Sequence, residues 1–318
     1  MIRLTSCFFA LLLSCACAAW AQSFPAKPVH LVVAFPAGGT ADLLARSVGD
    51  ALVDTWRQPV IVENKPGAGA IIATAQVQRA APDGYTLLMV APSFVMNPML
   101  NSEARWDPTK DFTPVVQLVT SPLVIATSPE SPSRTLKDLI DKARANPGTV
   151  TIAAVGPNTQ QHMIAEMLKL EAKVDWVYAP YNGGAPAVLA ALGGHVDAVI
   201  ANYSEVSAHI AGGRLRMLAT GTRERLENLK DVPTLAELGY SLIDGTIWFG
   251  FVAPLGTPRE VVQKIRTDMQ KVVNLPSVRD KLVGQSLYPV PSPEPFGTFL
   301  AAQSQRYGSL IRQAGLKQ

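Results

Sequence analysis

The sequence predicts an α/β chain folded as two lobes, and three observations lead there. Strand-like apolar runs are followed by glycine turns and then by helix-like segments, repeatedly. A second series of such units is inserted in the middle of the chain. The C-terminal tail is mainly helical and holds too little strand to build a core of its own.

The first unit opens with Val29-His30-Leu31-Val32-Val33-Ala34-Phe35, a continuous apolar run of the kind buried in a parallel sheet. Pro36-Ala37-Gly38-Gly39 breaks it. Leu44, Val48, Leu52 and Trp56 then recur every fourth residue, which predicts an amphipathic helix from Ala41 to Arg57. A second strand follows at Pro59–Glu63, then the glycine turn Pro66-Gly67-Ala68-Gly69 and an Ala/Ile helix running to Ala81. Pro82-Asp83-Gly84 stops that helix, and Tyr85–Val90 returns as strand.

The middle repeats the scheme. Thr135-Leu136-Lys137-Asp138 resembles a capped helix start and Asn146-Pro147-Gly148 a stop. Strand Val150–Val155, loop Gly156-Pro157-Asn158-Thr159 and helix Gln160–Leu170 come next, then strand Trp176–Ala179 and the turn Asn182-Gly183-Gly184 before a short helix. Val196–Ile200 and Leu215–Thr220 complete a second sheet, and the tail carries helices at Pro258–Val273, Ser277–Val283 and Pro295–Ala314. The apolar runs Val115–Ala126 and Ile247–Ala253 are the expected crossings between lobes. This makes the first lobe discontinuous, residues 22–122 with 250–318, around a second lobe of residues 123–249.

Residues 1–21 read as a secretory signal peptide. Arg3 provides the positive start, an uncharged apolar run follows, and Ala19-Trp20-Ala21 offers the small residues that precede cleavage before Gln22. The apolar run is too short to span a bilayer comfortably. The alternative lipoprotein reading through Leu12-Leu13-Ser14-Cys15 is a poor match. All three cysteines lie inside this leader, so the mature chain is expected to have no disulfide, thiolate nucleophile or cysteine metal site. The net charge is only +3 and no long run of like charge occurs, which argues against nucleic acid as a partner.

Several glycine turns stand where a strand ends and a helix begins. In doubly wound sheets ligands bind outside these strand ends, and unpaired amides at a helix start favour an anion. One such turn is usually structural; a set contributed by both lobes is a candidate anion site.

Val32-Val33-Ala34-Phe35-Pro36-Ala37-Gly38-Gly39-Thr40-Ala41-Asp42 resembles the opening signature of the tripartite tricarboxylate transporter receptors, also called Bug proteins. The resemblance continues through Pro82-Asp83-Gly84-Tyr85, Pro180-Tyr181-Asn182-Gly183-Gly184-Ala185-Pro186, Gly213-Arg214-Leu215-Arg216 and Ala253-Pro254-Leu255-Gly256-Thr257-Pro258. It implies an α/β periplasmic binding protein fold (type II), with two crossing strands and a ligand cleft between the lobes. It also implies a periplasmic, non-enzymatic and monomeric receptor, without cofactor or metal, that delivers a carboxylate to integral-membrane permease subunits. Dicarboxylates, amino acids and aromatic carboxylates all remain open as ligands. Carried over residue by residue, the first lobe would contribute Phe35, Ala37, Gly38, Gly39, Thr40 and Asp42, with Ser93 as a polar contact. The second would contribute Gly156, Asn158, Thr159, His162, Tyr181, Gly183 and Asn202.

The chain departs from that pattern at Asn158, at Asn182, where a lysine is usual, and at Ala70, where glycine is frequent. Plainer roles compete at several positions. Asp42 suits a first helical turn simply because of the helix dipole, His162 can be a packed core histidine, and Tyr181 can be lobe packing.

Rival functions find less support. The four histidines show no zinc spacing, and there is no G-x-S-x-G elbow. Gly67-Ala68-Gly69 lacks the third glycine of a dinucleotide fingerprint, because Ile72 stands in its place. A sensory partner role shares the same fold and stays open.

Overall fold

The computed structural model describes residues 24–226, 229–290, 294–313 and 315–316. The expected leader and its cleavage site lie outside them. Among the described residues no helix is long and apolar enough to cross a membrane.

The first sheet begins with β1 (Val29–Val33), α1 (Thr40–Trp56), β2 (Val60–Asn64), α2 (Ile71–Gln78) and β3 (Thr86–Val90). Both β2 and β3 pair parallel to β1, so β1 lies between them. The i+4 stripe read from the sequence is what anchors α1: Leu44, Val48 and Leu52 are fully buried against the sheet. Each such side chain contributes about 1.5–3 kcal/mol of transfer free energy.

Next come α3 (Pro92–Leu100) and β4 (Phe112–Thr127), the strand on which the architecture turns. In the second sheet α4 (Leu136–Ala145), β5 (Thr151–Val155), α5 (Gln160–Ala172), β6 (Val177–Tyr181), α6 (Gly184–Leu192), β7 (Ala198–Asn202), α7 (Tyr203–Ala211) and β8 (Arg216–Thr220) follow in order. There β6 and β7 flank β5 in parallel, repeating the arrangement around β1. The chain then returns through β9 (Thr246–Pro254) to α8 (Arg259–Val273), α9 (Pro276–Gly284), β10 (Tyr288–Pro289) and α10 (Phe296–Gln313).

Strand order is β2-β1-β3-β9-β4-β7-β5-β6. From Phe112 to Pro122, β4 pairs antiparallel with β9; from Leu123 onward it pairs with β7 and β8 instead. One strand therefore belongs to both sheets. The second crossing, β9, starts beside it, where Leu123 N–H donates to Gly245 O and Gly245 N–H to Gly221 O. Here Gly221 and Gly245 touch backbone to backbone: a Cβ added to Gly221 would come within 2.6 Å of the Gly245 Cα.

The tail helices pack onto the first sheet, α8 on β4 and α1, and α10 on α3 and β4. Trp248 meets Phe296 and Phe299 edge-on at 5.9 and 5.2 Å, so it belongs to this core.

Two helices were not expected. No sequence periodicity marks α3, which carries Pro92 and Pro98, yet Phe94, Val95 and Met96 are buried and Pro92 sits in the first turn, where its missing N–H costs nothing. α7 follows β7, which ends at Asn202, two residues beyond the expected strand.

Candidate functional site

Within each sheet the chain leaves the central strand to one side and returns to the other. The crevices beyond the carboxyl ends of β1/β3 and β5/β7 are therefore the places where a doubly wound sheet binds ligand. The two crevices face each other. Between them lie two cavities, joined through shared walls at Phe35, Pro36, Ser93, Val155, Thr159, Asn182 and Gly183.

The loop after β1 is held open by a chain of polar contacts. Gly38, at φ 80°, donates its N–H to Asp42 Oδ2 at 2.9 Å. Arg46 Nε reaches the same oxygen at 3.0 Å, Arg46 Nη2 reaches Asn64 Oδ1 at 3.2 Å, and Asn64 Nδ2 donates to Phe35 O. Burial alone would push the Asp42 carboxyl up, but the Arg46 and Gly38 hydrogen bonds outweigh it and hold it below the ordinary value. Phe35, Ala37, Gly39 and Thr40 are left facing the first cavity. Ser93, near the start of α3 and 5 % exposed, lines both cavities.

On the opposite side Thr159 caps α5. Its hydroxyl accepts from His162 N–H and donates to the carbonyls of Val155 and Gly156. Asn158 takes the left-handed conformation at φ 64°, a role Asn tolerates better than most residues, and its N–H donates to His162 Nδ1 at 3.3 Å. Gly156, Asn158, Thr159, Tyr181 and Gly183 line the second cavity; Asn202 lines the first. Gly183, at φ 126°, approaches the first lobe closely enough that an added Cβ would lie 3.3 Å from Pro36 Cγ.

Three residues expected at the site stand behind it. Gly38 has its amide engaged by Asp42, and the Asp42 carboxylate is occupied in turn by Gly38 and Arg46, so neither lines a cavity. His162 packs its ring on Tyr178 at 4.3 Å, where burial lowers its pKa and favours the neutral ring; it positions the Asn158 loop instead.

Sequence reasoning missed four polar residues. Gln160 and Gln161, both buried, face the first cavity from the opening turn of α5. Ser204 Oγ lies 2.8 Å from Thr40 Oγ1, across the cleft. Glu205 also lines the first cavity. Its Oε2 accepts from Asn202 N–H at 3.2 Å and from Asn202 Nδ2 at 3.3 Å. Burial pushes the Glu205 carboxyl up, against hydrogen bonds from Asn202 and Thr40 that pull it down. The surface it retains faces the cavity. The signal was present in the sequence as Asn202-x-x-Glu205, a capping-box spacing that marks a helix start but not the direction in which it faces.

Chemically the site offers apolar walls, from Phe35, Pro36, Pro92, Pro186, Ile247 and Phe249, around several helix starts. α1 and α6 begin at Gly39 and Gly183 without a cap from the N-cap residue itself, and the Glu205 carboxyl stands beside both starts. Among the described residues no cluster of three or more His, Cys, Asp or Glu is placed to hold a metal.

Known proteins share this fold. The profile of the tripartite tricarboxylate transporter family receptor matches residues 44–316. Protein BugT of Bordetella pertussis is 34% identical over 300 residues, covering 93% of this chain and 92% of its own. The solved structure of the periplasmic binding protein BugD superposes with a TM-score of 0.87 at 31% identity, over 92% of this chain and 99% of that one. An R. palustris protein solved with adipate superposes at 0.86 with 29% identity, over 92% and 98%.

Proposed function

Because the chain belongs to the tripartite tricarboxylate transporter receptor family, a family of solute-binding receptors and not enzymes, we propose that it captures a small carboxylate between its lobes and hands it to the permease of a tripartite transporter. The observation that carries this reading is the convergence of helix starts from both sheets, those of α1, α5 and α6, on one apolar-walled cleft. An anion there meets several aligned amides at once, and closing the lobes brings both sets within hydrogen-bond reach. The relative solved with adipate supports a carboxylate as the class of ligand.

In this reading the contacts come from Phe35, Ala37, Gly39, Thr40 and Ser93 in the first lobe. The second contributes Gly156, Asn158, Thr159, Tyr181, Gly183 and Asn202, joined by Gln160 and Gln161. The lobes divide at residues 122/123 and 249/250. The protein is exported to the periplasm with cleavage before Gln22 and acts as a monomer.

Two experiments test this. A thermal-shift screen of the mature protein against a broad carboxylate panel should find a stabilising ligand, and small-angle scattering with that ligand should show contraction. A panel without any stabilising carboxylate overturns the capture reading. Intact-mass analysis of periplasmic protein tests export, and a mass that retains the leader or carries a lipid on Cys15 defeats it.

A further inference from the structure

Among the described residues lining the two cavities there is no Lys, Arg, His or Asp; Glu205 is the one charged side chain. Its carboxyl group fills the corner where α1 and α6 begin. A Cβ added to Gly184, the first residue of α6, would lie 2.1 Å from Glu205 Oε2, and one added to Gly39 would lie 3.9 Å from Oε1. Asn202, the N-cap of α7, donates to it through both its backbone N–H and its side-chain amide. The chain thus places its own anion in one of the seats that the helix starts create.

Another seat stays open. The first-turn amides of α5, at Gln160 and Gln161, have no intrahelical acceptor and face the same cavity. A ligand carboxylate held there shares the first cavity with Glu205. A second carboxylate beside Glu205 would meet a like charge in a largely apolar-walled cavity, where two anions cannot both stay ionised without penalty. A cationic donor beside Glu205 gains a charge-assisted hydrogen bond instead. Resting on the carboxylate-capture reading, we infer that Glu205 is a specificity-determining residue, which takes the ammonium of a zwitterionic carboxylate and turns dicarboxylates away. Asp42, the acid that the sequence made the obvious partner for an ammonium, is held by Gly38 and Arg46 and does not compete for this role.

Titration calorimetry on the mature protein tests the inference with paired probes that share a methylene chain and differ in one end group. These are γ-aminobutyrate against glutarate, β-alanine against succinate, and the longer members of both series. The wild type should bind the ammonium member at least about tenfold tighter. Glu205→Gln keeps an acceptor for Asn202 N–H but drops the charge, and should reduce that preference at least about tenfold while improving the dicarboxylate. Gly184→Ala is an independent route, since its methyl and the Glu205 carboxyl cannot share one place; it should erase the preference with the charge retained. A wild type that prefers the dicarboxylates, or a cooperatively melting Glu205→Gln with an unchanged ratio, overturns the inference and leaves carboxylate capture standing. A wild type that binds neither series, nor any other carboxylate, overturns both.

Discussion

Thr40 Oγ1 and Ser204 Oγ are 2.8 Å apart, although 164 residues separate them along the chain. One stands at the start of α1 and the other in the first turn of α7, so the pair joins the two sheets across the cleft. Removing one hydroxyl of such a bond costs about 1 kcal/mol, roughly a fivefold change in an equilibrium. Ser204→Ala should therefore shift the unliganded protein toward an open form and weaken ligand binding about fivefold. Scattering measures the first effect and calorimetry the second; a variant indistinguishable from wild type in both would show that this contact bears no part of closure.

Glu205 makes a pH-dependent contribution whose sign is fixed by its environment. Burial raises its pKa above the ordinary 4.5, so over the window beginning there the folded state holds more protons than the unfolded chain. Its contribution to stability falls as pH rises through that window and levels off beyond the folded-state value. An ammonium ligand needs the ionised form, so its affinity should rise over the same window. Glu205→Gln should flatten both profiles, measured as melting curves and calorimetric titrations across a pH series. Asp42, Asp107 and Asp197 are held below their usual 3.8, Asp107 at about 2, so their contributions are lost only at more acid pH. A Glu205→Gln variant that keeps the wild-type slope would assign it to other groups.

Gly39 tests the site without testing the backbone. At φ −80° and ψ 170° it is extended, and an added Cβ would meet only Pro36 O at 3.5 Å and Glu205 Oε1 at 3.9 Å. Gly39→Val should still melt cooperatively, at most about 1 kcal/mol weaker at this helix cap. Its methyls enter the cavity and should cost at least about 3 kcal/mol of ligand affinity, because one charge-assisted bond is lost and its partner stays desolvated. Normal ligand binding by the folded variant would place the site elsewhere.

Ala70 occupies a conformation that suits glycine, at φ 80° and ψ 0°. It is buried beside the second cavity, and its N–H donates to Gly67 O, so the turn and not the side chain sets this geometry. Ala70→Gly should raise stability by about 1 kcal/mol, read from chemical denaturation. A destabilised variant would mean that the methyl's packing outweighs the strain.

The parts of this architecture that the sequence revealed are those where one periodicity governs one element. The run Val29–Val33 and the i+4 stripe of α1 are examples, since burial on a single face leaves a repeating trace. α3 left none, because its apolar residues are consecutive and its prolines imitate loop punctuation. The glycine turns and the capped start at Thr135 were legible for a similar reason: their chemistry is local. Asp42 and Glu205 show where legibility ends. Each is an acid in the first turn of a helix that follows a strand. Only the packing of one lobe on the other turns Glu205 into the cleft and leaves Asp42 to hold a loop.

The single strand shared by the two sheets bears on how the molecule comes apart. Neither lobe can lose β4 without taking away a central pairing partner of the other, and the packed backbones of Gly221 and Gly245 fasten the junction further. Heating should therefore give one calorimetric transition, with equal van't Hoff and calorimetric enthalpies and no half-melted species in which one lobe outlives its neighbour. A receptor built in this way loses its ligand cleft all at once, with no lobe left folded to hold half of it.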